Sequence, residues 1–254
     1  MARRRRARAM TTIKTERLRL LWEWVDPGTA CVADVGTDHG LLPIALVEQG
    51  RAERAIGCDL RPAPLDGARA RLAQAPEWVQ RAVSLRLGDG LAPIERGEAQ
   101  VAIMAGMGAA TIREILQARD PLRDLGLDQL ILQTPAGGMA LRRALVEQGW
   151  HIDRERLLCD GRPSRPKYYM CYRVDLRVEE PSAPTPAPWC VSEAMWRQQD
   201  EALFGYLRQC AHRAGLAYRG ACYASQHDAL RVADAAARLA WVQGALGWRN
   251  RAWL

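Results

Sequence analysis

The sequence predicts an α/β fold: a seven-stranded sheet with five parallel strands and an antiparallel closing pair, followed by a C-terminal helical hairpin domain. Three observations predict it. Short β-rich apolar runs alternate with helical patterns from Cys31 to Arg177, as in a parallel sheet wrapped by crossover helices. The last two of these runs have no helix between them. A proline-rich stretch then gives way to apolar residues at helical spacing.

The first strand is expected at Cys31 to Val35 and the second at Arg54 to Asp59, with a helix over Leu41 to Gln49 between them. A helix from Pro64 to Gln74 follows, with Pro64 suited to a first helical position, where its missing N–H costs nothing. The third and fourth strands are read at Val83 to Leu87 and Gln100 to Ala105. Thr111 to Ala118 makes the next helix and Gln129 to Gln133 the fifth strand, and a helix over Met139 to Gln148 ends at Gly149. Trp150 to Leu158 and Tyr168 to Arg177 are the closing pair, joined by the polar stretch Cys159 to Pro166 as a long hairpin loop.

Residues 181–188 hold four prolines, which marks an extended linker, so the domains are read as 1–15, a basic arm; 16–178, the main domain; 179–188, the linker; and 189–254, a helical domain. In that last part Trp196, Leu203, Leu207 and Cys210, then Val232, Ala236, Leu239, Val242 and Leu246, fall at helical spacing, with Gly215 and Gly220 read as lying between the two helices. Five of the nine tryptophans (Trp189, Trp196, Trp241, Trp248 and Trp253) lie there, and packing within the hairpin or onto the main domain is favoured over base stacking.

Composition sets the outer limits. No apolar run reaches the roughly 18 residues of a membrane span, and the basic start at Arg3 to Arg6 is not followed by a signal-peptide core. The seven cysteines are odd in number, lack a C-x-x-C and several sit in apolar runs, so they read as reduced thiols of a cytoplasmic protein with no metal site. The net charge of +7 sits at the ends: residues 1–10 carry five arginines and no acid, residues 189–254 eight arginines against five acids, and the middle is nearly neutral. Basic appendages point to a polyanionic partner, because phosphate contacts supply affinity independent of sequence. With only Lys14 and Lys167 as lysines, a coding bias toward arginine is the alternative.

The chemistry is concentrated in the loop Asp34-Val35-Gly36-Thr37-Asp38-His39-Gly40 after the first strand. A dinucleotide site cradles a pyrophosphate with G-x-G-x-x-G and keeps acids away from the helix start; here the spacing is G-x-x-x-G and two carboxylates lie in the loop. S-adenosylmethionine carries an ammonium and a sulfonium against one carboxylate, so acids beside it attract. Asp59, before Leu60 at the end of the second strand, can accept from both ribose hydroxyls, and Asp89 in Gly88-Asp89-Gly90 can accept from an adenine amino group. Each has a plainer reading: Asp34 as a turn cap, Asp59 as a cap for the helix near Pro62, Gly88 to Gly90 as a turn. Three acids at three consecutive strand ends make the joint reading the stronger one. His39 either orients substrate or acts as a base, or is a loop histidine bonded to nearby backbone or carboxylate.

After the fourth strand, Ala105-Gly106-Met107-Gly108-Ala109 stands where an acceptor meets the methyl group. Its small residues leave room for a flat ring, or serve a tight turn. Methylation of a ring nitrogen is an in-line displacement helped mainly by positioning and desolvation, and needs no strong base.

Val32 to Pro43, Arg86 to Leu91, Ala105 to Gly108 and Leu130 to Gln133 together resemble the bacterial TrmK family of tRNA (adenine-22-N1)-methyltransferases, over about Glu16 to Arg177. The resemblance implies a class I, Rossmann-like methyltransferase fold, S-adenosyl-L-methionine as cofactor, N1 methylation of a tRNA adenosine, and a helical C-terminal domain that helps hold tRNA. The chain departs from the family pattern at Gly40-Leu41, where Ala-Tyr is usual, at Ala109 in place of a second glycine, and at Thr134 between Gln133 and Pro135. Asp34, Gly36, Thr37, Asp38, Gly40, Asp59, Leu60, Gly88, Asp89, Gly90, Ala105 and Gly106 are the candidate cofactor residues. Asp38, His39, Met107 and Gly108 are the catalytic candidates beside the base. The rival readings are a methyltransferase acting on another RNA position or a small molecule, and a non-catalytic tRNA-binding protein that keeps the cofactor fold.

Overall fold

The computed structural model describes residues 13, 15–116, 119–162, 164–178, 192, 195, 201–223 and 229–249. The basic arm 1–10 and the proline-rich run 181–188 lie outside them, as do Trp189, Trp196, Trp253 and the side chains of Trp241 and Trp248, on which the tryptophan-packing expectation rests. The chain divides into two compact units, Met1–Glu193 and Ala194–Leu254.

In the first unit the elements run α1 (Glu16–Trp24), β1 (Thr29–Val35), α2 (Leu41–Glu48), β2 (Ala52–Asp59), α3 (Pro62–Leu72), α4 (Glu77–Ala82), β3 (Val83–Leu87), β4 (Val101–Ala105), α5 (Ala109–Leu116), α6 (Arg119–Asp124), β5 (Gln129–Thr134), α7 (Gly138–Glu147), β6 (His151–Arg162) and β7 (Arg165–Asp175). One seven-stranded sheet holds them in the order β3-β2-β1-β4-β5-β7-β6. β1 to β5 are parallel to one another; β7 is antiparallel to β5, and β6 to β7. The strand order reverses between β1 and β4, so the loops after their C-terminal ends open a crevice, the usual ligand site of such a sheet.

Helix α1 was not expected. Thr15 caps it, its hydroxyl accepting from the Leu18 N–H at 3.3 Å. Leu20, Leu21 and Trp24 are buried at i, i+1 and i+4 against Val32, Ile103, Ile131, Leu158 and Cys171 of the sheet. The Arg51 guanidinium donates to the carbonyls of Val25 and Glu23 at the end of this helix and lies 4.6 Å from the Trp22 ring centroid. Helix α2 has no polar face: Leu42 to Val47 are all buried, as befits a helix covered on all sides.

Three expectations need correction. Helix α3 starts at Pro62, with Arg61 as its N-cap, so Pro62 and not Pro64 occupies the first position. Most of the polar stretch read as a loop is ladder: Cys159 to Arg162 of β6 pair with Arg165 to Tyr168 of β7, out to an Arg162–Arg165 pair. Polar residues are tolerated there because β6 is an edge strand with water on its outer side. In the second unit, α8 (Glu201–Cys222) and α9 (Ala229–Arg249) pack against each other, but Gly215 and Gly220 lie inside α8. Gly215 is buried on the side of α8 that faces α9, where a Cβ would stand in ordinary contact, 3.9 Å from Leu239 Cδ1. Among the described residues no helix is long and apolar enough to cross a membrane.

Candidate functional site

The backbone of the β1 loop is tied to β2 before any side chain acts. The N–H groups of Gly36 and Thr37 both donate to the Cys58 carbonyl at 2.8 Å. Gly36 has φ +74°, and a Cβ there would come within 2.4 Å of Met107 Cε. A glycine is favoured by the left-handed turn, while the Met107 side-chain end would have to move aside for any Cβ. Asp38, at φ +55°, is the one non-glycine residue with positive φ among the described residues, a conformation that short polar side chains tolerate best.

Asp34 is buried and accepts from the Thr37 hydroxyl at 2.8 Å. Burial pushes its carboxyl up to about 6, against the Thr37 hydrogen bond and the charge of Arg17, with the Asp59 and Asp38 carboxylates adding to the rise. A carboxyl held this way gains most from a new cation beside it. The turn-cap reading of Asp34 is thus true as geometry, and the Thr37 hydrogen bond and the Arg17 charge only partly offset the cost of burying its charge.

Asp59 is buried too, with the Asp38 N–H on Oδ2 at 3.2 Å and the Arg61 N–H on Oδ1 at 3.0 Å. Helix α3 has no side-chain cap, so Asp59 is not a helix cap. Each of its oxygens holds one backbone donor and keeps acceptor capacity for a diol. The Gly88 N–H donates to the Asp59 carbonyl at 3.0 Å and brings the β3 loop, with Asp89, to the same place.

These loops enclose a cavity of about 580 Å³. Of the candidates, Asp34, Gly36, Thr37, Asp38, His39, Asp59, Leu60, Gly88, Asp89, Gly90, Ala105, Gly106 and Met107 line it. Gly40 and Gly108 do not. Gly40 is the left-handed N-cap of α2 at φ +67°, where a Cβ would come within 2.9 Å of Ala68 Cβ, so its part is to let α2 and α3 approach. Leu60 is 64% exposed at the rim, an apolar surface against which a flat ring can rest. His39 is anchored through its carbonyl by the Arg71 Nε–H at 3.0 Å, and its ring packs on Gly67, with Nε2 3.8 Å from Asp38 Oδ1.

Sequence reasoning missed Arg17, Leu18, Leu42, Arg61, Thr111 and Ile115, which also line the cavity together with Leu41, one of the positions that depart from the family pattern. Arg17 matters most. Its Nη1 donates to Gln133 Oε1 at 2.9 Å, and the same oxygen accepts from the Gly106 N–H at 3.0 Å. Gln133 thereby joins α1, β4 and β5 at the cavity edge, where Arg17 also lies 5.7 Å from the Tyr169 ring centroid. Thr15 as a cap, with Leu18, Leu21 and Val25 at helical spacing, is the signal that places Arg17 on a first helical turn.

The arrangement suits a ligand with a cationic end, a diol and a flat ring: Asp34 and Asp38 at one end, Asp59 in the middle, Leu60 and Asp89 at the other. Arg17, on the β4–β5 side of the cavity, is a cation available for a ligand carboxylate; Arg61 lies beside Asp59.

Known proteins agree in architecture. The TrmK m1A22 tRNA methyltransferase of B. subtilis has the same fold, with a TM-score of 0.72 at 23% identity over 91% of this chain and 98% of that one. TrmK of M. capricolum, in complex with S-adenosyl-homocysteine, gives a TM-score of 0.73 at 17% identity over 92% and 97%. The tRNA (adenine(22)-N(1))-methyltransferase of Bacillus subtilis (strain 168) is 33% identical over 162 residues, which span 63% of this chain and 63% of that relative's length. The family described as a methyltransferase domain matches residues 14–169, across all the loops that line the cavity, and the chain belongs to that family.

Proposed function

We propose that the protein transfers a methyl group from S-adenosyl-L-methionine to N1 of an adenosine in tRNA, at position 22. The observation that carries the donor is the buried Asp34 carboxyl, pushed up to about 6 in a cavity whose other acids stand at successive strand ends. An anionic cofactor would worsen that repulsion and a cationic one relieves it. The acceptor follows from the 33% identical relative, whose name specifies adenine 22 of tRNA.

When bound, the donor supplies an electrophilic methyl group on a sulfonium. Asp34, Gly36, Thr37 and Asp38 hold its cationic end, Arg17 its carboxylate, Asp59 its ribose, and Leu60, Gly88, Asp89 and Gly90 its adenine. Ala105, Gly106 and Met107 close the methyl edge. Asp38, His39 and Met107 flank the incoming base, with the exposed Gly108 just outside the cavity; the base's N1 lone pair takes the methyl group as the methyl–sulfur bond breaks and the neutral thioether leaves. Holding the base in line and excluding water are what these residues contribute. A cytoplasmic setting is the reading that a tRNA acceptor favours, and the free thiols among the described residues are in keeping with it. The basic arm 1–15, the linker 179–188 and the helical domain 189–254 flank the catalytic domain 16–178, with the helical domain holding tRNA.

Incubation with methyl-labelled donor and bulk tRNA, followed by nucleoside analysis and mapping, tests this. Labelled 1-methyladenosine at position 22 is expected. A protein that binds donor yet leaves tRNA unlabelled would overturn the acceptor assignment.

A further inference from the structure

The middle of the chain is nearly neutral, yet its charges are not mixed in space. β7 pairs with β5 only as far as Met170, opposite Thr134 at the C-terminal end of β5. From Leu158–Tyr169 to Arg162–Arg165 the two strands of the β6–β7 hairpin pair with each other alone. The hairpin therefore reaches about 15 Å past the sheet edge, at 3.3 Å per residue. That edge is the one on which the cavity opens.

Strand alternation assigns a face to each side chain. Arg156, Leu158, Asp160 and Arg162 of β6 share a face with Arg165, Lys167, Tyr169 and Cys171 of β7. Leu158 and Cys171 pack in the cluster with α1, so this is the α1 side of the sheet. At the hairpin base, acids and arginines are paired: Glu155 with Arg142 at 3.1 Å and Asp153 with Arg173 at 2.5 Å. At the tip they are not. Arg162, Arg165 and Lys167 there, and Arg156 one step nearer the base, are exposed and form no ion pair with a carboxylate among the described residues. The acid among them, Asp160, accepts from the Gly161 N–H at 2.6 Å. Tyr169 carries the face inward to Arg17, and so to the cavity.

We propose that this face of the β6–β7 hairpin binds the sugar-phosphate backbone of the RNA that delivers its base to the cavity, with Arg162, Arg165 and Lys167 on phosphates and Tyr169 nearest the base. This role rests on the RNA acceptor proposed above. Unpaired cations in a row repel one another and are complementary to a regular polyanion. A small acidic substrate would use one of them, and a track of four running to a cavity mouth fits a chain of phosphates.

The test uses the full-length protein with Arg162, Arg165 and Lys167 changed together to Gln, and Arg96→Gln, an exposed site before β4, as control. Equilibrium tRNA binding is measured at several salt concentrations, with donor affinity and thermal melting alongside. The triple variant should bind tRNA at least about tenfold more weakly, with its log–log salt slope shallower by roughly 2 to 3, about 0.9 for each phosphate that is no longer neutralised. Donor affinity and melting should stay unchanged, and Arg96→Gln should match the parent. Unchanged tRNA affinity and salt slope in the triple variant overturns the proposal. The methylation assay separates the two readings: 1-methyladenosine formed with an unaltered KM for tRNA removes the hairpin role and keeps the activity. Hairpin-dependent binding without methylation removes the activity and keeps the hairpin role.

Discussion

The β1 loop and the β6–β7 hairpin leave the same edge of one sheet and handle charge in opposite ways. In the loop, Asp34 and Asp59 are buried, each held by a close hydrogen-bond partner, and the backbone around them is pinned by paired N–H groups on Cys58. On the hairpin tip the cations are exposed and, among the described residues, without carboxylate partners. Desolvated charge in a fixed frame discriminates one small ligand from another, since each missing partner leaves a costly buried group. Exposed charge on a ladder attracts any polyanion, weakly at each phosphate and at the mercy of salt. The proposed reaction would use both: the loop for a small donor, the hairpin for a large polyanionic acceptor.

The sharpest way to break the contrast is Asp59→Ala. It removes the acceptor for two backbone N–H groups and for the ribose, and donor affinity by calorimetry should fall on the order of 100-fold, as two charge-assisted hydrogen bonds imply. Retained affinity would show that the loop is not the donor site.

Next in size is the pH response of Asp34. Its folded-state value, about 6, lies above the ordinary 3.8 of an aspartate, so the fold favours the neutral form. This group therefore makes folding less stable as pH rises from near 4 through about 6, and has no further effect above. A cationic donor favours the ionised form, so its affinity should be constant above about pH 7 and fall about tenfold by about pH 5. Asp34→Asn should flatten that profile. A profile that survives the substitution assigns the titration elsewhere.

The smallest effect is expected at His39. Its ring is largely exposed, and its 3.8 Å approach to Asp38 is a surface pair, worth at most about 1 kcal/mol. His39→Gln should lower kcat by no more than about fivefold, whereas a drop of about a hundredfold or more would make it a required base.

Much of the fold and site is legible in the sequence for a physical reason. Strand β3 is found at Val83–Leu87 as expected, and Asp34, Asp59 and Asp89 reach one cavity because parallel strands all end on the same edge. Local rules failed where long-range packing decides. Arg17 lies 116 residues from the Gln133 it bonds, and no spacing rule links them. Gly215 reads as a break by propensity and is buried in a helix of 22 residues facing α9. Gly40 reads as part of the ligand loop and instead serves the meeting of two helices.

By itself, the sequence determined the alternating α/β order and the acidic glycine loop, because those depend on residues adjacent in the chain. Only the tertiary structure decided that Arg17 borders the cavity and that a neutral stretch of sequence carries a basic ridge. Net charge is a sum along the chain, whereas a potential depends on where in space each paired and unpaired charge lies.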